Sequence, residues 1–172
     1  MQDWEGMIPG PPQKTRSTSH DARLTAWSTF LRAHARVTRE LEHELEAEQD
    51  LSLADYDLLH QLAVADGRRL RMSELANRLA LSRSGATRLV DRLEAAGLVD
   101  RQTCATDRRG YWATVTDAGI GRLRAATPTH LRGVCEHFID RIPAEELEQL
   151  RLTLERVIGA DRMDPEGEIA AG

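Results

Sequence analysis

The chain is 172 residues long with a formal net charge of −5; 41% of it is apolar, 30% charged and only 4% aromatic. This suffices for one compact domain or two small lobes with a real core, but no apolar run reaches the roughly 18 residues that would cross a bilayer, and so few aromatics argue against a stacking platform for single-stranded nucleic acid. Two cysteines, Cys104 and Cys135, are too few and too far apart for a disulfide framework and fit a reducing cytoplasm.

Residues 1–20 mix Pro, Gly and Ser without a continuous apolar stretch, which predicts a disordered tail rather than a signal peptide. From Asp21 to about Glu48 the apolar residues Leu24, Trp27, Leu31, Val37, Leu41 and Leu45 recur at helical steps, with one wider gap at His34, predicting one long helix. After a break at Gln49–Ser52, Leu53, Tyr56, Leu59, Leu62 and Ala63 carry a second helix that ends near Gly67. Arg68–Met72 reads as a single strand leading into a third helix. Ser73 is expected to cap that helix, Glu74 to complement its dipole, and Leu75, Ala76 and Leu79 to form its buried stripe.

Ser82 is expected to cap a fourth helix running to Ala96 and closed by Gly97, with Ala86, Leu89, Val90, Leu93 and Ala96 facing inward. Arg83, Ser84, Thr87, Arg88 and Asp91 then fall on its other side. Short, polar and basic side chains of this kind fit a major groove, where arginine pairs bidentately with guanine and a threonine methyl meets thymine. An ordinary solvated helix face would carry the same residues, so the neighbouring elements decide. Leu98–Thr103 and Tyr111–Val115 alternate as two strands, and Ala105–Gly110 between them reads as a turn tipped by Asp107, Arg108 and Arg109. An arginine on such a tip can enter a narrow minor groove, oriented by a nearby aspartate. Two short helices, a tight turn and an arginine-tipped hairpin form the pattern of a winged helix-turn-helix that reads duplex DNA. The charge agrees: Arg68–Arg109 holds ten arginines against five acids, an excess of five positive charges, which leaves about ten negative charges for the rest of the chain. One basic face suffices to displace counterions from phosphates.

Thr116 is expected to cap a further helix through Leu123 and Ala126, kinked or restarted at Pro128 before Leu131, Val134, Phe138 and Ile139. A last helix opens after Pro143 with Leu147, Leu150, Leu154 and Val157 as its stripe, and residues 160–172 form an acidic tail predicted to be disordered. The terminal helices hold more apolar surface than a small lobe covers, which points to burial against a second copy. The fold class is therefore mainly α with a small β-hairpin wing (α+β). Residues 21–50 and 117–159 are expected to form a helical dimerisation region, and 51–116 the winged DNA-binding region.

The order of these elements, and the strings SELANRLALSRSGATRLVDRLEAAGLVDR, CATDRRGYWATVTDAG and RAATPTHLRGVCEHF within Leu24–Ile158, resemble the MarR family of bacterial transcription regulators. The resemblance implies a cytoplasmic homodimer whose two winged lobes bind an inverted-repeat operator in double-stranded DNA, often as a repressor, with no cofactor. By motif position Ser82, Ser84, Thr87 and Arg88 would lie in or beside the major groove, and Asp107 would orient Arg109 into the minor groove; Ser73, Arg83, Arg92 and Arg108 complete the candidate set. Family members are often released by small aromatic acids. Here Trp27, His34, Tyr56, Asp57 and His60 would line that cleft, against the plainer reading of Trp27 and Tyr56 as core and of His34 and His60 as satisfied or exposed.

Other readings are weaker. A redox sensor would need an accessible, low-pKa cysteine, and the reactive cysteine that peroxide-sensing relatives carry early in the first helix is absent. A metal sensor would need Glu42 and His43 to meet His130 or His137. No phosphate loop, nucleophile elbow or His-Glu metal motif suggests an enzyme. A winged scaffold that binds protein rather than DNA is the remaining alternative, and salt-dependent, sequence-selective DNA binding would separate the two.

Overall fold

The computed structural model describes the backbone of residues 18–104 and 107–159 and the side chains of residues 22–103 and 111–159. The tails expected up to residue 17 and from residue 160, and the side chains of Cys104, Asp107, Arg108 and Arg109, lie outside the described residues. The elements run α1 (Thr18–Gln49), α2 (Leu53–Val64), β1 (Arg69–Arg71), α3 (Met72–Arg78), α4 (Arg83–Ala95), β2 (Val99–Cys104), β3 (Asp107–Val115), α5 (Asp117–His137) and α6 (Ala144–Ile158). Mostly helical with one small antiparallel sheet, this is the expected fold class. Thr18–His20, expected in the tail, already belong to α1.

The chain divides into two units between Arg36 and Val37, inside α1. In the first, residues 22–36 are exposed along the whole helix, and Trp27, expected in a core, is 59% exposed. The helical stripe is present, but a single helix has no other element of its own unit to cover it. Trp27 instead lies beside Phe30, ring centroids 6.0 Å apart, and Phe30 beside His34 at 6.3 Å.

The second unit holds the core. Leu45, Leu58, Leu59, Leu62, Leu75, Val90 and Val99 are fully buried, each contributing about 1.5–3 kcal/mol by burial. Asp50, at φ +47°, ends α1, and Ser52 restarts the chain by accepting a hydrogen bond from the Asp55 N–H at 3.1 Å. The α1–α2 corner is tied by side chains: Glu42 Oε2 accepts from the Leu53 N–H at 2.6 Å, and Arg122 of α5 donates to the carbonyls of Gln49 and Asp50. These bonds satisfy helix-end groups that would otherwise lack partners. The last turns of α1 lie against α5, where Gly133 leaves room: a Cβ there would fall 2.6 Å from Glu44 Oε2 and 2.7 Å from Leu41 Cδ2. His137 Nε2 meets Glu44 Oε1 at 2.6 Å, and Thr129 Oγ1, almost fully buried, donates to Glu48 Oε2 and accepts from Gln49 Nε2.

The sheet order is β1-β3-β2, all antiparallel, with Leu70 opposite the buried Ala113 in the middle strand. The strand-to-helix step after β1 corrects the expected cap. Arg71 still pairs with Trp112, and α3 begins at the next residue, Met72, so Ser73 lies inside the helix, exposed, and Arg71 takes the flanking position without a side-chain cap. No loop separates the elements, so no residue is left over to act as Ser73 was expected to. β3 likewise starts at Asp107, inside the expected turn. Thr103 pairs with Tyr111 but Cys104 with Asp107, so Arg108, Arg109 and Gly110 fall between successive pairings in a local register shift.

Thr116 caps α5, accepting from the Gly119 N–H at 3.0 Å while donating to the Gly97 carbonyl at 2.8 Å. α5 runs unbroken through Pro128 and stops at His137; Phe138 and Ile139, expected to continue it, lie beyond its end. α6 has no buried residue, and Val157 is 80% exposed.

Candidate nucleic-acid interface

α3, the turn after it and α4 present the candidate surface. Leu75 and Ala76 of α3 and Ala86, Leu89, Val90 and Leu93 of α4 are buried, so the opposite side of α4 is held outward by the packing itself. Ala96, expected in the inward stripe, is exposed, because α4 ends at Ala95 and Gly97 turns the chain away at φ +71°. The α3–α4 turn is closed by the Leu81 N–H on the Ala76 carbonyl at 2.9 Å.

The outward side chains differ in how far they are free. Ser82 Oγ is committed to the cap, accepting from the Gly85 N–H at 3.1 Å, and lies 3.2 Å from Ser84 Oγ. Thr87 donates its hydroxyl to the Arg83 carbonyl at 2.9 Å, so what it offers a groove is its methyl group. Arg83 and Arg88 are exposed, and among the described residues neither side chain makes a hydrogen bond or ion pair. Arg92 is engaged: its Nη2 and Nε donate to Asp55 Oδ1 at 2.7 and 3.2 Å, and Nη2 lies 3.3 Å from Ser52 Oγ. Two acids of α4 share one cation. Arg101 of β2 reaches Asp91, stands 3.4 Å from Glu94 Oε2 and donates to the Thr87 carbonyl. With Asp91 paired to Arg101, Glu94 near the same guanidinium and no acid in the first turn, the start of α4 keeps a positive character from Arg83, Arg88 and the helix dipole. At the wing, the backbone places Asp107, Arg108 and Arg109 at the start of β3.

Two features escaped the sequence reading. Arg69 and Arg71 stand over the Trp112 ring, 4.8 and 5.1 Å from its centroid; the alternation Arg69-Leu70-Arg71 was the available signal. Asp55 is 8% exposed at the start of α2. Its spacing from Ser52 is that of a capping box, but its partner Arg92 lies far along the chain.

Of the effector candidates, Tyr56 is buried and stacks on His130, centroids 4.2 Å apart, with His60 on it at 6.2 Å. Burial, reinforced by the neighbouring His60, holds His130 below the usual imidazole range. Asp57 is raised above the usual carboxylate range by desolvation, opposed by His60 and assisted by Glu42. Trp27 and His34 belong to the other unit. The metal set imagined from Glu42, His43 and His130 or His137 does not assemble; among the described residues, Glu44, Glu136 and His137 are the ligand-type groups that converge, within 4.8 Å. Within that cluster Glu44 Oε1 is hydrogen-bonded to His137, and Arg132 stands 3.8 Å from Glu44 Oε2. Among the described residues no helix is long and apolar enough to cross a membrane.

A MarR family model matches residues 49–110, the stretch from the end of α1 into β3. The chain is similar to AbsC, a MarR family transcriptional regulator from Streptomyces coelicolor, at 36% identity and a TM-score of 0.74 over 80% of this chain and 93% of AbsC. It is 32% identical to Sco3205, a MarR family transcriptional regulator of the same organism whose crystal structure is in complex with DNA, with a TM-score of 0.74 over 78% of this chain and 84% of Sco3205. The HTH-type transcriptional regulator MhqR of Bacillus subtilis (strain 168) is 33% identical over 86 residues, a match spanning 50% of this chain and 59% of MhqR. Family and fold are those of transcription regulators rather than enzymes. The chain belongs to the MarR family of transcription regulators.

Proposed function

We propose that the chain acts as a homodimeric repressor that binds an inverted-repeat operator in double-stranded DNA. The observation that carries this reading is the outward side of α4, where Arg83 and Arg88 stand exposed beside Ser84 and the methyl of Thr87, over a stripe packed too firmly to turn inward. Ser82 supports that face as the cap, Ser73 borders it from α3, and Arg108 and Arg109, with Asp107, serve the minor groove from the wing. The similarity to a relative crystallised with DNA supports the same assignment.

Dimerisation through residues 21–50 and 117–159, leaving 51–116 as the DNA-binding part, is supported by apolar side chains that each unit leaves uncovered. These are Leu24, Trp27, Phe30 and Leu31 in one, and Leu152, Val157 and Ile158 in the other. Release by a small aromatic or phenolic ligand is assigned to the Tyr56, Asp57 and His60 side of α2; Trp27 and His34 are candidates by sequence alone.

Selection of bound duplexes from a random pool tests the proposal. Enrichment of a two-fold symmetric sequence, with half-sites about one helical turn apart and affinity falling steeply with salt, is expected. A pool that yields no enriched sequence, or salt-insensitive binding, overturns it.

A further inference from the structure

Among the described residues Asp55 is the buried carboxylate, it lies at a junction with the candidate recognition helix, and both of its carboxylate oxygens are hydrogen-bonded. Ser52 Oγ donates to Asp55 Oδ2 at 2.7 Å while accepting from the Asp55 N–H at 3.1 Å, which fixes the rotamer of the carboxylate at the start of α2. Oδ1 is left for α4, and Arg92 takes it through both Nη2 and Nε. The Asp55 side chain is 12% exposed and that of Arg92 58%. The guanidinium therefore anchors from the rim, over a mostly buried carboxylate held by Ser52.

The geometry points to Asp55 as a positioning residue for DNA recognition, holding α4 in its working orientation through Arg92, and to Arg92 as part of that clasp rather than as a DNA contact. This rests on the DNA-binding reading above. The apolar stripe of α4 fixes which side faces in, but hydrophobic contact is non-directional and tolerates a small roll. Arg101 restrains the helix from the β2 side through Asp91 and the Thr87 carbonyl, and the Asp55–Arg92 pair restrains it from α2. A side-on arginine–carboxylate pair is directional. A roll of about 10° displaces a side chain at the ~6 Å helix surface by about 1 Å, enough to spoil a bidentate contact by Arg88, one helical turn before Arg92 on the same helix. Phosphate contacts, longer-ranged and less directional, would survive such a roll. The clasp thus governs selectivity more than affinity for DNA in general.

The test compares the full chain with Asp55→Asn, Arg92→Lys, Arg92→Gln and the Asp55→Asn/Arg92→Gln double variant, each titrated with the pool-selected duplex and a scrambled one at several salt concentrations. Positioning predicts that each single variant loses about tenfold on the selected duplex, that the double variant loses no more than either single, and that scrambled binding and the salt slope stay as in the parent. Arg92→Lys is the decisive variant and the least disruptive to folding, since it keeps the charge at an exposed site but loses the fork. Parent-like selectivity from Arg92→Lys, or a salt slope reduced by about one per half-site in Arg92→Gln with additive losses, would overturn the clasp and make Arg92 a phosphate contact. A general loss on both duplexes that tracks a fall in melting temperature would also overturn it, as mere stabilisation. A parent chain that prefers no duplex would sink the DNA-binding reading itself, a result distinct from all of these.

Discussion

Replacing Arg88 by alanine separates recognition from folding. The side chain is exposed, lies opposite the buried stripe of α4, and among the described residues has no hydrogen bond or ion pair to lose, so its removal should change unfolding free energy by no more than about 0.5 kcal/mol. If it forms a bidentate contact to a base edge, it carries about 1–3 kcal/mol of discrimination per half-site. A two-fold operator doubles this to about 2–6 kcal/mol, a loss of at least roughly 30-fold in affinity. Fluorescence polarisation on the selected duplex, run beside urea unfolding, measures both quantities on one preparation. The reasoning is refuted if affinity is unchanged, or if the urea midpoint falls in step with binding, which would make Arg88 part of the fold.

Gly119→Ala should destabilise the protein although alanine is the better helix former. The new methyl would collide with the Leu98 carbonyl and stand 2.7 Å from Val115 Cγ2, a cost of about 1–3 kcal/mol. A melting temperature equal to the parent's, rather than several degrees lower, would show that the α5 N-terminus has slack. Introducing aspartate at both Leu150 and Leu154 should give monomers by sedimentation and cut operator affinity by about 10²–10⁴ through lost bivalency; a double variant that remains dimeric contradicts the assigned interface. Acid should weaken the fold through His130. Its folded value lies below the ordinary 6.5, so the unfolded chain binds the proton first, and the stability held above pH 6.5 declines as pH falls from there through the folded value. Urea midpoints at pH 7 and pH 5 measure this, and a His130→Asn variant with the same pH slope as the parent would remove His130 as the cause.

Local chemistry was legible wherever a helix announces itself within a few residues. Ser82 as the cap of α4, its buried stripe from Ala86 to Leu93, the closure at Gly97 and the cap at Thr116 follow from short-range rules of hydrogen bonding and helical period. The same rules misplaced Ser73, because they assume a loop before a helix and β1 passes straight into α3. They also put Trp27 in a core, because a period shows that a stripe exists but not what covers it.

From sequence alone came the element order, the family resemblance and the side of α4 that faces out, since each depends on residues close together in the chain. Tertiary structure alone decided what those outward residues are free to do. Arg92 and Arg88 look alike in sequence, yet Asp55, brought up from another helix, occupies Arg92 and leaves Arg88 exposed. Asp91, which would repel phosphate, is paired by Arg101 from a strand, and Glu94 stands beside the same guanidinium. Charge pairing acts over a few ångströms of space, and the fold, not the spacing along the chain, determines which charges come that close.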